Sequence, residues 1–418
     1  MDRQSKKDTL KVLKKRGAEK YMAIVMSVNA GSSSLKFQVY EMPEEKVLAK
    51  GLVERIGLKD GIFSITVDGK KYTETTDIPN HEVAVKMLVD ALIKHHVVND
   101  LSEIKAVGHR IVHGGEFYAD SVVATPDAVE KVEECIPLAP LHNPAGLTGY
   151  KTFDKILPDA VHTFVFDTAF HQTMPEENFI YPIPYEYYEK DHIRRYGFHG
   201  TSHKFLTERL AEIEGKKPEE MNIITCHLGN GASITAVKEG KSFKTSMGLT
   251  PLAGVEMGTR SGDIDPAIPM VLEEKYGYTP KEMDNILNKK SGLLGVSGVS
   301  SDSRDIEKAV EEGNKRAALA KKIFDDRVIE TVAGYYGLMG GADAIVFAGG
   351  IGENAIDIRK AVVDGLGALG VKLDDEANNC RGKEVKISAP DSKLDVYVIP
   401  TDEEVMIARD AYRNLENA

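Results

Sequence analysis

The chain has 418 residues, of which 42% are apolar and 28% charged, and its net charge at pH 7 is −12. This composition is typical of a globular protein, and the length favours two domains. The negative charge argues against nucleic acid as the main partner, and no apolar run is long enough to span a membrane. Cys135, Cys226 and Cys380 are few and scattered, which favours a cytoplasmic protein over one with disulfides or a zinc site.

The first 21 residues differ in charge from the remainder of the chain. They contain eight Lys or Arg residues against three Asp or Glu, so the rest carries about −17. They lack the apolar core of a secretory signal. We expect either a solvated tail or an upstream start with the true start at Met22, and a functional basic arm is the alternative.

Beyond this segment, apolar periodicity and capping residues predict alternating strands and helices. Strands are predicted at 25–28, 35–40, 161–166, 223–226, 233–237, 344–348 and 396–399. Helices are predicted at about 82–95, with Asn80 as the cap, and at 202–214 and 316–338, and GGIGEN at 349–354 opens another. The alternation predicts an α/β chain with mixed strand order.

Two stretches share one plan, namely an apolar strand, a turn of small residues, a serine and an alternating strand. VMSVNAGSSSLKFQV begins at Val25, and ITCHLGNGASITAV begins at Ile224. The plan predicts a duplicated domain, although the match is weak residue by residue.

The first of these turns joins its two strands through small, polar residues. Gly31 can adopt a positive φ, and backbone N–H groups together with the Ser32 and Ser34 hydroxyls can ring a phosphate. Lys36 adds a cation on the same face. The alternative is an ordinary hairpin turn with solvated serines. The stretch is neither a P-loop nor a Rossmann fingerprint, because both glycine patterns are missing.

Two further glycine-rich turns follow strands, HLGNGAS at 227–233 and FAGGIGEN at 347–354. A strand that runs into glycines and then a helix is typical of an anion or nucleotide site. Three such turns favour a bound nucleotide over coincidence.

Cations also stand among small residues. Arg110 lies in GHRIVHGG and Arg260 in GTRSGD, where a guanidinium can present its planar fork to a phosphate or carboxylate. The alternative is a surface arginine in a flexible loop. His142 and His199 occupy similar positions, but a single histidine is more often structural, and neither has metal-ligand spacing.

Carboxylates complete the candidate site. Asp167 follows a buried strand, and Glu403 and Glu404 follow the last strand. One or two such carboxylates commonly hold Mg²⁺ on a nucleotide. The alternatives are a helix cap for Asp167 and first-turn dipole partners for the two glutamates, which we prefer for Glu404.

From residue 22 to about 411, the chain resembles the acetate and propionate kinase family. The resemblance is carried, in order, by NAGSSSLK, GHRIVHGG, LAPLHNP, VFDTAFHQTMP, YGFHGTSH, HLGNGASITAV, SMGLTPLAGVEMGTRSGDIDP and FAGGIGEN. It implies two actin-like ATPase (ribonuclease H-like) domains around a nucleotide cleft, 22–168 with 404–418 on the acetate side and 169–403 on the nucleotide side. It also implies a homodimer that uses Mg²⁺, with Mn²⁺ as an alternative. The reaction would be reversible transfer of the ATP γ-phosphoryl group to acetate, giving acetyl phosphate and ADP.

The family's functional positions can be carried over residue by residue. The resemblance assigns catalysis to Arg110, His142, Asp167, His199 and Arg260, and acetate binding to Arg110, Val112, Leu141, Phe198 and Pro251. It assigns nucleotide or phosphate binding to Asn29, Ser32, Ser34, Lys36, His227, Gly229, Asn230, Gly231, Asp302, Arg304, Gly350, Ile351, Gly352 and Asn354, and metal binding to Asn29 and Glu403. Ser303 is smaller than the group at that position in many relatives, which leaves ATP and GTP both open.

Charge arguments assign roles to these residues. Acetate is already ionised at pH 7, so Asp167 orients metal or water and does not act as a base. Arg110 would hold acetate and Arg260 the moving phosphoryl group, while His199 and Asn230 donate to its oxygens.

Substrate size and protein class leave alternatives. A valine at position 112 favours acetate over propionate or butyrate, whose kinases are the nearest alternatives. An Hsp70-type or filament ATPase would share the nucleotide turns, but it would not need Arg110 and Arg260.

Overall fold

The computed structural model describes residues 21–418, so the prediction for the basic segment lies outside the described residues up to position 20. The strands are β1 (Ala23–Ala30), β2 (Ser34–Met42), β3 (Lys46–Glu54), β4 (Gly61–Val67), β5 (Lys70–Thr76), β6 (Ile104–Ile111), β7 (Val122–Val123), β8 (Val161–Phe166), β9 (Asn222–Leu228), β10 (Ala232–Lys238), β11 (Lys241–Thr245), β12 (Ala344–Ala348), β13 (Val385–Lys386) and β14 (Asp395–Val398).

The helices alternate with these strands along the chain. They are α1 (His81–Lys94), α2 (Pro126–Glu134), α3 (Asn143–Ile156), α4 (Glu176–Phe179), α5 (Glu186–Asp191), α6 (Gly200–Glu214), α7 (Ala267–Tyr276), α8 (Pro280–Lys289), α9 (Gly292–Ser297), α10 (Ser303–Glu311), α11 (Lys315–Met339), α12 (Gly349–Asn354), α13 (Ile356–Gly365), α14 (Asp375–Asn378) and α15 (Glu403–Asn417). No helix in residues 21–418 combines the length and apolar character needed to cross a membrane.

The predicted elements are all present, with ends that differ by a few residues. The side chain of Asn80 caps α1 by accepting from the backbone N–H of Val83, as the sequence predicts. Gly215 ends α6 in the left-handed conformation. Leu319 of α11 is 53% exposed, so it lies off the buried face of that helix.

Seven of the eight strands of the first sheet follow the order β5-β4-β3-β2-β1-β6-β8. Strand β1 pairs antiparallel with β2 and parallel with β6. Alternate residues of β2, including Leu35, Phe37 and Val39, are fully buried. They pack in one apolar cluster with the inward face of α1, which includes Leu88 and Leu92. The hydrophobic alternation of the sequence therefore fixes which face of this sheet is covered.

The second sheet has the order β11-β10-β9-β12-β14-β13. Strand β9 pairs antiparallel with β10 and parallel with β12. Its core contains Ile234, Ile345 and the buried stripe of α11, which includes Phe324 and Val328. Strand β12 is buried along its whole length, as expected for a strand covered on both faces.

The two sheets share one topology. In each, three antiparallel strands end at a strand that pairs in parallel with a later one, β3-β2-β1-β6 in the first and β11-β10-β9-β12 in the second. Each also carries its small-residue turn between corresponding strands, β1–β2 and β9–β10. The mixed α/β fold with two related sheets is therefore the duplicated arrangement that the sequence predicts.

The described chain divides into two compact units. The first contains residues up to 110, 145–164 and 407–418, and the second contains 111–144 and 165–406. The predicted domains instead place 111–144 with the first half, and their boundaries stay a prediction.

Candidate active site

In the first unit, the turn between β1 and β2 collects three of the predicted residues. The register pairs Asn29 of β1 with Lys36 of β2. Arg110, near the end of the neighbouring β6, donates from Nη1 to Asn29 Oδ1 over 3.2 Å. The sheet thus brings an amide and two cations from three strands to one end of β1, which suits the binding of an anion.

Backbone contacts hold the turn itself. The N–H of Gly31 donates to the Ser34 carbonyl over 2.8 Å, and a Cβ at position 31 would lie 2.9 Å from Ser34 Oγ. His81, the first residue of α1, has its Nε2 2.8 Å from the Gly31 carbonyl. Ser32 is exposed, so its hydroxyl faces solvent.

In the second unit, the turn between β9 and β10 is closed by a 3.0 Å hydrogen bond from the Gly229 N–H to the Gly231 carbonyl. A Cβ built at Gly231 would lie 3.3 Å from Arg260 Nη1 and 3.6 Å from His199 Nε2. The absence of a side chain at position 231 therefore lets a guanidinium and an imidazole both come close to the backbone of this turn.

The loop that carries Arg260 is fixed against the same turn. The Gly258 N–H donates to the Asn230 carbonyl over 3.1 Å, and a Cβ at Gly258 would lie 1.9 Å from Asn230 Oδ1, so only glycine fits there. Arg260 Nη1 donates to the Pro251 carbonyl over 3.3 Å. Burial lowers the pKa of Arg260, yet a guanidinium keeps its charge throughout the physiological range.

His199 and His227 stand beside each other, with ring centroids 4.2 Å apart. His199 precedes α6 with a φ of 56°, a left-handed conformation that is rare outside glycine and is found more often at functional sites. Its Nδ1 lies 2.8 Å from Ser233 Oγ, and His227 Nδ1 lies 2.8 Å from Ser202 Oγ. Both rings are thus held by buried hydroxyl groups.

The third turn borders a cleft of about 710 Å³ in the second unit. Its walls are formed by the following residues: Gly229, Asn230, Ser301, Asp302, Ser303, Arg304, Glu307, Gly350, Ile351, Asn354, Ala355 and Arg381. The cleft thus brings together predicted nucleotide-binding residues from the second and third turns and from α10. Gly352 lies in α12 but does not line it.

Asp302 and Arg304 form an ion pair at the rim of this cleft. Asp302 accepts from the backbone N–H and the Nε of Arg304, both over 2.9 Å. This arginine lowers the pKa of Asp302 to about 2, so the carboxylate is charged at neutral pH.

The predicted acetate-pocket residues differ in burial. Phe198 is buried in the core cluster, and Val112 packs against that cluster. Leu141 is 74% exposed. His142 follows it and donates its backbone N–H to the Ala139 carbonyl over 3.1 Å.

The acidic candidates differ in burial. Asp167 is 2% exposed, and its carbonyl accepts from the Gly200 N–H at the start of α6 over 2.8 Å. Glu403 begins α15 and is half-buried. In residues 21–418, no group of three or more His, Cys, Asp or Glu residues is placed to hold a metal ion by itself.

Some supporting residues escaped the sequence-based prediction. Arg359 is fully buried and donates to the carbonyls of Gly352, Asn378 and Cys380 over 2.8–3.0 Å, which ties α12 to a neighbouring loop. Asn143 is buried and bonds the backbone of His113. An arginine or asparagine in a polar stretch gives no sign of such burial, so no local signal could have found them.

Known proteins resemble this chain over nearly its full length. The model of the Acetokinase family matches residues 24–409. The chain belongs to the acetokinase family. Acetate kinase of Bacillus subtilis (strain 168) is 56% identical over 392 residues, which cover 94% of this chain and 99% of that protein. Acetate kinase of Geobacillus kaustophilus (strain HTA426) is 57% identical over the same shares.

Solved structures agree with this membership of the acetokinase family. The crystal structure of Porphyromonas gingivalis acetate kinase superposes with a TM-score of 0.91 at 48% identity, covering 94% of this chain and all of that one. A propionate kinase from Francisella tularensis gives a TM-score of 0.88 at 42% identity over the same shares. The family resemblance predicted from the motifs is confirmed, and as an acetokinase-family member the chain is a phosphotransferase that acts on a carboxyl group.

Proposed function

We propose that this chain transfers the γ-phosphoryl group of ATP to acetate, reversibly, giving acetyl phosphate and ADP. An acetate oxygen forms the new bond to phosphorus, and the bond from that phosphorus to the bridging oxygen of ADP breaks. The observation that supports this most is the approach of both Arg260 and His199 to the backbone of the turn at Gly231. Donors fixed around one small space suit a phosphoryl group in transfer.

Charge neutralisation accounts for most of the proposed catalysis. Acetate needs no general base because it is ionised at neutral pH, and the barrier is the repulsion between two anions. Arg260 neutralises the phosphoryl group, and Arg110 holds the acetate carboxylate. His199 and Asn230 donate to the equatorial oxygens of the phosphoryl group. His142 is the remaining residue that we assign to catalysis. Asp167 orients metal or water.

We assign the acetyl methyl group to Val112, Phe198, Leu141 and Pro251. Phe198 is buried in the core cluster against which Val112 packs, which supports a small apolar surface for one methyl group. One added methylene changes specificity by only about 1–3 kcal/mol, so propionate is expected to be a poorer substrate and not an excluded one.

The nucleotide is assigned to the cleft beside the third turn, where its size and polar walls support binding of a nucleoside triphosphate. Mg²⁺ is proposed as the cofactor, with Mn²⁺ as an alternative. Asn29 and Glu403 offer the oxygen ligands that such ions prefer, and phosphate oxygens complete a site of this kind. When bound, the ion neutralises phosphate charge.

A homodimer is also proposed. Helix α7 has no buried residue in the single chain, and its Ile268, Met270, Val271 and Tyr276 are 41–62% exposed. Several exposed apolar side chains on one short helix are typical of a protein–protein interface. Light scattering should give twice the chain mass, and Met270→Glu with Val271→Glu should give one chain mass. A monomeric wild type would overturn the homodimer.

A hydroxylamine trap tests the reaction. The chain is incubated with ATP, Mg²⁺, acetate and hydroxylamine, with and without residues 1–21. We expect the chain with residues 1–21 and the chain without them to form acetyl hydroxamate and ADP in equal amounts. ATP hydrolysis that does not depend on acetate would instead support an Hsp70-type ATPase. Because the protein is expected to be cytoplasmic, neutral pH is the relevant condition.

A further inference from the structure

His171 is a fully buried histidine whose ring holds the backbone directly before His199. Its Nε2 lies 2.9 Å from the Phe198 carbonyl oxygen, and its Nδ1 lies 2.8 Å from Ser242 Oγ. A carbonyl oxygen only accepts hydrogen bonds, so Nε2 carries the proton in the first contact. Burial lowers the pKa of His171 to about 4, so the ring is neutral at pH 7 and its Nδ1 accepts from the Ser242 hydroxyl.

The Phe198 carbonyl belongs to the same peptide plane as the N–H of His199. Rotation of that plane changes ψ of Phe198 and φ of His199 together. His199 has a φ of 56°, a left-handed conformation that a residue with a side chain rarely adopts. Turning the plane over would move this φ to a negative and less strained value. The conformation of His199 therefore depends on what holds the Phe198 carbonyl.

The peptide before this one is held by the backbone, whereas the Phe198 carbonyl is held by a side chain. The Gly197 N–H donates to the Gly248 carbonyl over 3.1 Å. Among residues 21–418, the Phe198 carbonyl accepts no backbone hydrogen bond of this kind. The His171 ring is therefore the contact that keeps the peptide between Phe198 and His199 in place.

Packing directs the effect of this contact to His199. A Cβ built at Gly197 would lie 2.8 Å from His171 Cδ2, so the ring lies directly against the turn. The side chain of Phe198 is anchored separately, because it is buried in the core cluster. Loosening the peptide would therefore move His199, whose Nε2 comes close to the backbone at Gly231.

We propose that His171 is a positioning residue for the reaction. By holding the Phe198 carbonyl, it keeps the following peptide from turning over and so keeps His199 in the conformation that brings Nε2 to the turn between β9 and β10. The catalytic consequence rests on the proposed function, but the backbone conformation can be measured without turnover.

The first test compares crystal structures of the wild type and His171→Asn. Asparagine reaches only to the position of Nδ1, so it cannot donate to the Phe198 carbonyl. We expect a left-handed φ at residue 199 in the wild type, and a negative φ with the carbonyl turned away in the variant. A φ that stays positive in the variant would overturn the proposal, whatever the activity. If His171→Asn does not fold, His171→Met, which fills the volume of the ring without a donor, replaces it in the same measurement.

The second test is steady-state kinetics of two matched variants. In His171→Asn, kcat should fall about tenfold, the effect of one lost hydrogen bond, while the KM values for ATP and acetate change less than twofold. His171→Gln, whose amide nitrogen reaches the position of Nε2, should recover kcat to within about threefold of the wild type. Equal kcat values for the two variants would contradict the role of the donated hydrogen bond.

A double variant separates positioning from a general structural role. Because His171 acts through His199, adding His171→Asn to His199→Ala should lower kcat less than twofold further. A full tenfold further loss would show that His171 acts by another route and would overturn the proposal.

His162 provides the matched control. It is also buried, and its Nε2 donates to a backbone carbonyl, that of Leu157, over 3.1 Å. His162→Asn should keep kcat within twofold of the wild type, and a tenfold loss would contradict a specific role for His171. Absence of acetyl phosphate formation by the wild type would remove the proposed function but leave the φ measurement standing.

Discussion

The two strand–turn–strand segments share a topology but differ in what surrounds their turns. At the first, Lys36 and Ser32 are exposed, and Arg110 on the neighbouring strand β6 donates to Asn29 of β1. At the second, His199 and His227 are each held by a buried serine hydroxyl. The first turn therefore offers charge on adaptable side chains, and the second offers donors in fixed positions. We infer that the second turn determines the geometry of transfer, while the first supplies attraction for anions.

The comparison predicts its largest effect at Arg260, whose loop is held against the second turn. Arg260→Ala should lower kcat at least about a hundredfold, as expected when a group that stabilises transition-state charge is removed. Arg110→Ala should lower kcat on the same scale and also raise the KM for acetate. Steady-state kinetics measures both.

Arg209→Ala is the control for this prediction, because Arg209 pairs with Glu384 and Glu212 and lies in neither turn. Near-normal turnover by Arg260→Ala would remove the assigned role of the second turn.

A second prediction concerns the loop that carries Arg260. Glu256 is 3% exposed, and neither carboxyl oxygen has a hydrogen-bond partner among the described residues. Burial raises its pKa to about 7, with a smaller opposing effect from Arg327. The folded state therefore favours the protonated carboxyl of Glu256. The contribution of this proton to the free energy of unfolding is complete below about pH 4.5 and is lost as pH rises through 7.

Glu256→Gln should therefore increase the free energy of unfolding at pH 8.5 by about 3 kcal/mol and change it far less at pH 4.5. Urea unfolding at both pH values measures this. An equal change in the free energy of unfolding at the two pH values would show that the carboxyl charge of Glu256 does not cause the change.

These two regions also show how far sequence reasoning reaches. The hairpins follow from alternating apolar residues, and the Asn80 cap follows from local chemistry, so both could be predicted. The three residues behind His199 lie on α6, β9 and β10, and only the folded sheet brings Thr225, His203 and Ser233 into line. The exposure of Leu141 and the burial of Glu256 likewise depend on tertiary packing, which periodicity does not reveal.

A third, smaller effect should separate Ser202 of α6, which contacts a histidine beside the second turn, from a serine of the first turn. Ser202 Oγ lies 2.8 Å from His227 Nδ1 and 2.7 Å from Thr401 Oγ1, so Ser202→Ala should lower kcat about tenfold by leaving buried polar groups unpaired. Ser33→Ala in the first turn should stay within twofold, because its side chain is exposed. Equal losses of kcat in Ser202→Ala and Ser33→Ala would contradict the distinction between fixed donors at the second turn and adaptable side chains at the first.

The last prediction concerns substrate size. Val112 packs against the core of the second sheet with Phe198, so Val112→Ala should raise kcat/KM for propionate relative to acetate by about tenfold. Wild type and variant are compared with acetate, propionate and butyrate. An unchanged ratio would place the acyl chain elsewhere.

The most direct measurement is a crystal structure with a non-hydrolysable ATP analogue, Mg²⁺ and acetate. We expect the terminal phosphate beside Gly231, with Arg260 Nη1 and His199 Nε2 about 3 Å from its oxygens. A terminal phosphate bound away from this turn, with neither side chain in contact, would contradict the assigned site of phosphoryl transfer.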